Sequence, residues 1–496
     1  MNHDQEQVYN QILSFIGSDR NLFQLEGPGG SGKSFTIGKV LRHKKLEHLK
    51  VIVVAPTHKA LNVLRSSIGC KNSNINFKTI DSWFGAIVDY DDDGNEFMDY
   101  TFNIYDENEK ERKKTWEYDL VIIDEVSMLN RLHYTIIQQI IRKQNPNLQI
   151  ITLGDRCQLS PVEPTETFDK IYKDFCIKHK IPVLPKHKEE LSYFYVNHPV
   201  DVSLTINMRC ENIEHNKLLL KIREYLLTTG RLPSRNDIIQ SLKNSSSLQT
   251  ENIVGEYCKF YLQGKRGILL NQKGTPKCDK SPYLDRVDTL NQNIRKILYP
   301  NSTEKFNDRE QVIFYKTIYG VEGPIFTNSS TVCIDSVEKL DDFEIKLINI
   351  TSGRKNESFF TKEEVEWLEK NTRFNVYKIS IGNYVAYAVQ DSSLREWNEF
   401  IRILKSLLLS KCKKQEKFAD IRKIVFMEYY NYIRFYNLPI NTYYATTINS
   451  SQGSTYQYVF VNQKNFNWFL NKDQKKYLKY LYTSFSRTKT NVIYNL

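Results

Sequence analysis

Eight consecutive residues near the start of the chain, Gly27-Pro28-Gly29-Gly30-Ser31-Gly32-Lys33-Ser34, have the spacing G-x-x-x-x-G-K-[ST]. Small residues there let backbone N–H groups close around phosphate oxygens at the start of a helix. The lysine adds a point charge for the β and γ phosphates, and the hydroxyl after it can ligate magnesium. Such a loop needs an acidic partner, and Val121-Ile122-Ile123-Asp124-Glu125-Val126-Ser127-Met128 supplies two adjacent carboxylates after an apolar run. Asp124 suits a magnesium ion held through water, and Glu125 suits positioning or deprotonating the attacking water of an in-line displacement. Adjacent acids are poor core residues, so a buried strand that ends in both implies a use for them. These two motifs define a nucleoside triphosphatase that takes ATP and Mg2+, and they say nothing yet of what the energy drives.

Strands must hold these groups in place. Leu22 to Glu26, Val51 to Ala55, Leu120 to Ile123 and Ile150 to Leu153 are short, mostly apolar runs, each ending in a polar or glycine-bearing segment. They read as a buried parallel sheet with its functional groups at the carboxyl ends of the strands. Gly267 to Leu270 and Val459 to Val461 suggest a second sheet of the same kind. The fold class is therefore α/β with two P-loop NTPase lobes. Between them, Phe314 to Tyr387 reads as many short β runs, and Leu394 to Phe435 as helix without proline. Asp89 to Glu111 carries ten acids against one lysine, and its pattern around Asp91-Asp92-Asp93-Gly94-Asn95 predicts a hairpin with its turn at Gly94, with Phe97, Tyr100, Phe102 and Tyr105 beyond.

Bulk properties narrow the class less. The 496 residues, 26% charged and 40% hydrophobic, are enough for two large lobes with insertions. A net charge of +11 is compatible with a polyanionic partner but modest for this length. The eight cysteines lack paired C-x-x-C spacing, which disfavours zinc or redox chemistry. No apolar run approaches the roughly 20 residues that span a bilayer. The start, MNHDQEQVYNQIL, has no basic stretch ahead of an apolar core. A soluble, intracellular protein with no membrane partner is expected.

The remaining segments resemble the B-type superfamily 1 DNA helicases, the RecD and Dda-like group, over nearly the whole chain. Gly154-Asp155-Arg156-Cys157-Gln158-Leu159-Ser160-Pro161-Val162 is similar to that family's third motif, which makes Gln158 the γ-phosphate sensor. Leu204-Thr205-Ile206-Asn207-Met208-Arg209 and Leu481 to Lys489 resemble two arginine-bearing motifs, so Arg209 and Arg487 are implied as fingers. Thr446 to Gly453 resembles a further motif whose Gln452 and Gly453 face the nucleotide, and Gln5 fits the amino-terminal glutamine that reads adenine, with Gln7 close in register. The resemblance places strand contacts at Pro56, Thr57, His58, Thr79, Thr447 and Asn449. Asp81 and Asn449 stand where histidines are usual; an acid beside phosphate is unfavourable, so Asp81 is expected to turn away or bind an arginine. Arg286 to Arg295 resembles a helix of the second lobe, with KGTPKCDKSPYL inserted before it.

By the same resemblance the chain divides into RecA-like lobes at 1–200 and at 201–313 with 437–496, an SH3-like insertion at 314–390 and a helical arm at 391–436. The acidic hairpin, 86–116, takes the place of the pin on which duplex splits. The implied protein is a monomeric motor moving 5′ to 3′ on single-stranded DNA, engaging duplex junctions and working among replication or recombination proteins. An RNA helicase of the same superfamily, and a non-unwinding nucleic-acid-dependent ATPase that serves as loader or processivity subunit, are the alternatives.

Overall fold

The computed structural model describes residues 1–69, 72–100, 118–161, 163, 165–187, 191–231, 242, 247–272, 286–320, 323–348, 360–413 and 418–495. Two compact units emerge: residues 1–86, 100–300 and 444–496 form one, and residues 87–99 and 301–443 the other.

The first unit holds both predicted sheets. Strands β1 (Leu22–Glu26), β2 (Val51–Ala55) and β3 (Ile75–Thr79) precede the hairpin strands β4 (Ile87–Tyr90) and β5 (Glu96–Asp99), and β6 (Leu120–Ile123), β7 (Gln149–Gly154) and β8 (Val202–Ser203) follow. The first sheet has the order β3-β2-β6-β7-β1-β8, all parallel. β2 and β6 are buried along their full length, as a sheet covered on both faces requires. The second sheet adds β9 (Leu248–Gln249) and β10 (Gly267–Asn271) to Ala445–Thr447, Tyr456–Val461 and Thr488–Tyr494, again all parallel. Asn291, in the helix Val287–Leu298, accepts hydrogen bonds from Tyr444 N (2.9 Å) and Ala445 N (2.7 Å), which pins the start of one strand. The segment KGTPKCDKSPYL lies outside the described residues.

The second unit is built from small antiparallel sheets, the largest of them Ser336–Glu344, Arg373–Ile381 and Tyr384–Val389, with two long helices, Leu394–Cys412 and Phe418–Tyr436. One helix interrupts the expected run of strands, Lys362–Lys370. Its first turn is closed by a capping box between Thr361 and Glu364. Residues 345–348 of the run EIKLINI are coil, although Ile345 and Ile348 are buried.

The hairpin also belongs to this unit, with Tyr90 opposite Glu96 and a left-handed Gly94 at the turn (φ 68°). A side chain at Gly94 would collide with the Phe426 ring, and Tyr430 Oη donates to Gly94 O at 3.0 Å. The acids at the tip are met by bases on the second long helix, Phe418–Tyr436: Arg422 pairs with Asp92 (2.5 Å) and Arg434 with Glu96 (2.5 Å). The acidic charge of the tip is thus partly neutralised. Phe102, Tyr105 and Glu111 lie outside the described residues. Among the described residues, no helix is long and apolar enough to cross a membrane.

Candidate functional site

Backbone geometry builds one wall of the site. The loop from Gly27 to Gly32 leaves β1 and enters helix α2 (Lys33–Val40), with Gly27 N still bonded to Gly154 O at 3.1 Å. Gly30 and Gly32 both have φ near 87°, a conformation that a Cβ disfavours, and added side chains would strike Arg209 and Gln5 respectively. Lys33 Nζ folds back to Gly27 O (2.6 Å) and Pro28 O (3.1 Å). Burial lowers its pKa, and the charges of Asp155, Glu125 and Asp124 pull it back up. Ser34 follows in the first turn of α2. Asp124 and Glu125 extend from β6, and Glu125 is left-handed (φ 51°) with its N–H donating to Asp124 Oδ1 at 2.9 Å. Burial, then the charge of Glu125, pushes Asp124 up to about 7, with Lys33 opposing. Such a carboxyl pair is one a dication relieves, and the buried Ser31 Oγ has no hydrogen-bond partner among the described residues. Both observations fit a magnesium triphosphate held by this loop.

Long side chains build the facing wall. Arg209 Nη1 donates to Ser486 O at 2.8 Å, and Met208 N to Gly30 O at 2.8 Å, so this segment lies on the phosphate loop. Burial, then Arg487, lowers the Arg209 pKa to about 10. Arg487 is 1% exposed; its Nη2 donates to Gln158 Oε1 at 2.7 Å. Gln452 Nε2 donates to Leu159 O at 3.2 Å, and a Cβ on Gly453 would stand 3.9 Å from Glu125 Oε1. One expectation changes. β8 pairs with β1 through Leu25 and Val202, so the chain has not left the first sheet when it reaches Arg209. Arg209 therefore approaches from that sheet's own edge, whereas Arg487 follows the helix Gln474–Phe485 and precedes a strand of the second sheet.

Comparison with known proteins bears on this arrangement. Residues 1–181 match the AAA domain family and residues 442–493 the UvrD-like helicase C-terminal domain. An uncharacterized protein, R530, of Acanthamoeba polyphaga mimivirus is 25% identical over 538 residues, 98% of each chain. The ATP-dependent DNA helicase Pif1 of Psychrobacter sp. (strain PRwf-1) is 24% identical over 156 residues, 30% of this chain and 21% of that one. In fold the chain is similar to a Pif1 helicase structure described as two coordinating Pif1 helicases unwinding forked double-stranded DNA, with 15% identity, 99% of this chain and 92% of that chain covered, and a TM-score of 0.50. An AAA domain at the start and a UvrD-like helicase domain at the end together support a B-type superfamily 1 DNA helicase. The chain is an ATP hydrolase.

The helicase also carries a buried charge web that its motifs do not announce. Arg223, in the helix Ile213–Leu227, reaches Glu26 Oε1 (3.1 Å) and Asp155 Oδ1 (3.5 Å). Tyr482 Oη donates to Asp155 Oδ2 at 2.6 Å, and Arg156 Nε contacts Glu26 Oε2 at 3.1 Å. Burial and the neighbouring Asp155 raise the Glu26 pKa despite both arginines. Glu26 and Asp155 end β1 and follow β7, so the web sits directly behind the phosphate loop. An acid closing an apolar strand was the available signal for Glu26; nothing in the sequence marked Arg223.

Gln5, 4% exposed, donates through Nε2 to Ser31 O at 3.3 Å, while Gln7 is exposed and meets His3. At the carboxyl ends of three strands the helicase repeats one small device. Thr57 Oγ1 accepts from Ala60 N (3.1 Å), Thr79 Oγ1 from Ser82 N (3.2 Å) and Thr447 Oγ1 from Ser450 N (3.0 Å). Pro56 and His58 flank the first of these, and burial lowers the His58 pKa while Asp81 opposes it. Asn449, half-buried, follows the third. Among the described residues Asp81 binds no arginine; its carboxylate accepts from Tyr100 Oη at 2.8 Å and lies 3.2 Å from His133 Nε2.

Proposed function

We propose that this helicase moves 5′ to 3′ on single-stranded DNA, drawing on an ATP held between the phosphate loop and the two arginines. The observation that carries the nucleotide part is the bond from Arg487 to Gln158 beside the loop. It brings the finger and the sensor to one point, where loss of the γ-phosphate would be felt by both sheets. Glu125 orients the attacking water, and Arg209 and Arg487 neutralise charge gathering on the transferred phosphoryl oxygens. Ser34 and Asp124 are the residues that would hold Mg2+, which would offset the charge of the phosphates. Pro56, Thr57, His58, Thr79, Thr447 and Asn449 are the strand contacts, suited to sequence-blind phosphate and sugar binding. The hairpin β4–β5 is the element that splits duplex, and resemblance to the RecD and Dda-like group supports this and the polarity.

The test is ATP-dependent displacement of a labelled strand from duplexes with a tail of either polarity, in DNA and in RNA. Displacement from a 5′-tailed DNA duplex is expected. Unwinding only from a 3′ tail overturns the polarity, equal activity on RNA overturns the restriction to DNA, and ATPase without displacement favours a loader.

A further inference from the structure

We propose that Asp81 is a positioning residue that clamps the base of the hairpin, so that strand separation depends on it more than ATP turnover does. The inference rests on the reading of the hairpin as the duplex-splitting element. Residues 87–99 leave the first compact unit after Ala86 and return to it at Tyr100. Both crossing points are tied to the same residue. Ala86 N donates to Asp81 O at 2.9 Å, and Tyr100 Oη donates to the Asp81 carboxylate at 2.8 Å. The Tyr100 ring packs against the buried cluster containing Ile80, Trp83 and Phe84, so the hydroxyl arrives from a fixed ring.

A third partner connects the clamp to the nucleotide side. His133 Nε2 lies 3.2 Å from the same Asp81 oxygen, and its Nδ1 is buried without a hydrogen-bond partner among the described residues. His133 sits in the helix Arg131–Gln139, which begins six residues beyond Glu125. Burial pushes the Asp81 carboxyl up, but the hydrogen bonds from His133 and Tyr100, with His58 nearby, hold it below the ordinary value. A charged acceptor between two donors is stronger than a neutral one, and it keeps direction as well as distance. Asp81 lies two residues beyond Thr79, so one short turn carries both an expected strand contact and the hairpin's anchorage.

Tyr100→Phe is the decisive variant, since it removes one hydroxyl and leaves the ring in place. In the full-length protein it should slow displacement of a 5′-tailed DNA duplex about tenfold, the worth of one hydrogen bond to a charged acceptor, with strand-stimulated ATPase changed less than about twofold. Asp81→Ala should lose at least as much unwinding, Asp81→Asn should recover part of it, and Asp81→Ala with Tyr100→Phe should lose no more than Asp81→Ala alone. A general loss of fold would lower ATPase and unwinding together. Replacing Asp89 to Asp99 with a short glycine-serine link is the control. If that protein cannot unwind while Tyr100→Phe unwinds at the wild-type rate, the clamp is overturned and the hairpin reading stands. If the replacement unwinds normally, the hairpin reading itself falls, and the clamp with it.

Discussion

The two walls of the nucleotide cleft are made of different material. The phosphate loop works through backbone: glycines with positive φ, successive N–H groups and the start of a helix, with Lys33 as its main charged side chain. The facing wall works through long side chains, Arg209, Arg487 and Gln452, that in this structure bond to protein carbonyl and amide oxygens. Backbone geometry admits few sequences, so the loop is recognisable from spacing alone. An arginine looks the same in a chain whether it neutralises a phosphoryl group or lies on the surface, and with 69 lysines and arginines spacing alone could not choose between them. A wall of side chains is also the one that can move: a guanidinium can exchange a protein oxygen for a phosphate oxygen, whereas a positive-φ glycine turn is present before and after the nucleotide.

The largest effects should come from the backbone wall and its acids. Lys33→Ala and Glu125→Gln are both expected to abolish turnover, by different routes. The first removes the point charge and should weaken ATP binding; the second leaves the loop intact and should bind ATP but stall, accumulating on single-stranded DNA. Equilibrium nucleotide binding alongside steady-state ATPase separates them. Normal ATPase in either variant would remove that residue from the site.

On the facing wall the expected loss is smaller and of another kind. Arg487→Ala and Arg209→Ala should each reduce kcat by about 10³-fold, the lower end of what arginine fingers supply, with nucleotide affinity changing far less. Arg487→Lys should not rescue, because a single ammonium cannot bond Thr483 O through Nε and Gln158 through Nη2 at once, as the guanidinium does here. Affinity falling as far as kcat would mean that the arginines bind the ground state, and the distinction between the walls would dissolve.

How much of this was legible follows the same division. The runs read as strands at Leu22 to Glu26, Val51 to Ala55 and Leu120 to Ile123 coincide with β1, β2 and β6, because buried parallel strands are apolar throughout and end in polar residues. The turn at Gly94 was legible for a similar reason: the position takes positive φ, and Phe426 lies where a side chain would go. The charge pairing was not. Asp92 and Glu96 read as an acidic patch, and their partners Arg422 and Arg434 lie more than 300 residues away in sequence. The helix Lys362–Lys370 was missed amid strands even though Thr361 and Glu364 carry a capping-box signature, a local signal overlooked beside a regional one. Arg223 left no trace, since a basic residue in an amphipathic helix ordinarily faces water.

The smallest expected effects lie at Thr57, Thr79 and Thr447, where the two kinds of wall meet in one residue. Each hydroxyl accepts a backbone N–H three residues on, which is a cap, and each stands at a strand's carboxyl end, where a track contact is expected. The proton of the hydroxyl distinguishes them. Thr447 Oγ1 donates its proton to Ser450 Oγ at 2.8 Å, so its donor is already engaged. The hydroxyl oxygens of Thr57 and Thr79 can accept the capping bond and still offer a proton to a phosphate. Alanine at any of the three should therefore lower stability by about 1 kcal/mol through the lost cap, read as a lower denaturant midpoint with unchanged slope. Only at Thr57 and Thr79 should single-stranded DNA affinity also fall, by about three- to tenfold, with serine restoring both properties. Measured by fluorescence anisotropy at fixed salt, an equal loss of affinity at Thr447 would mean that its hydroxyl turns from Ser450 to the strand on binding. No loss at Thr79 would leave the first sheet's second track segment with a structural task alone.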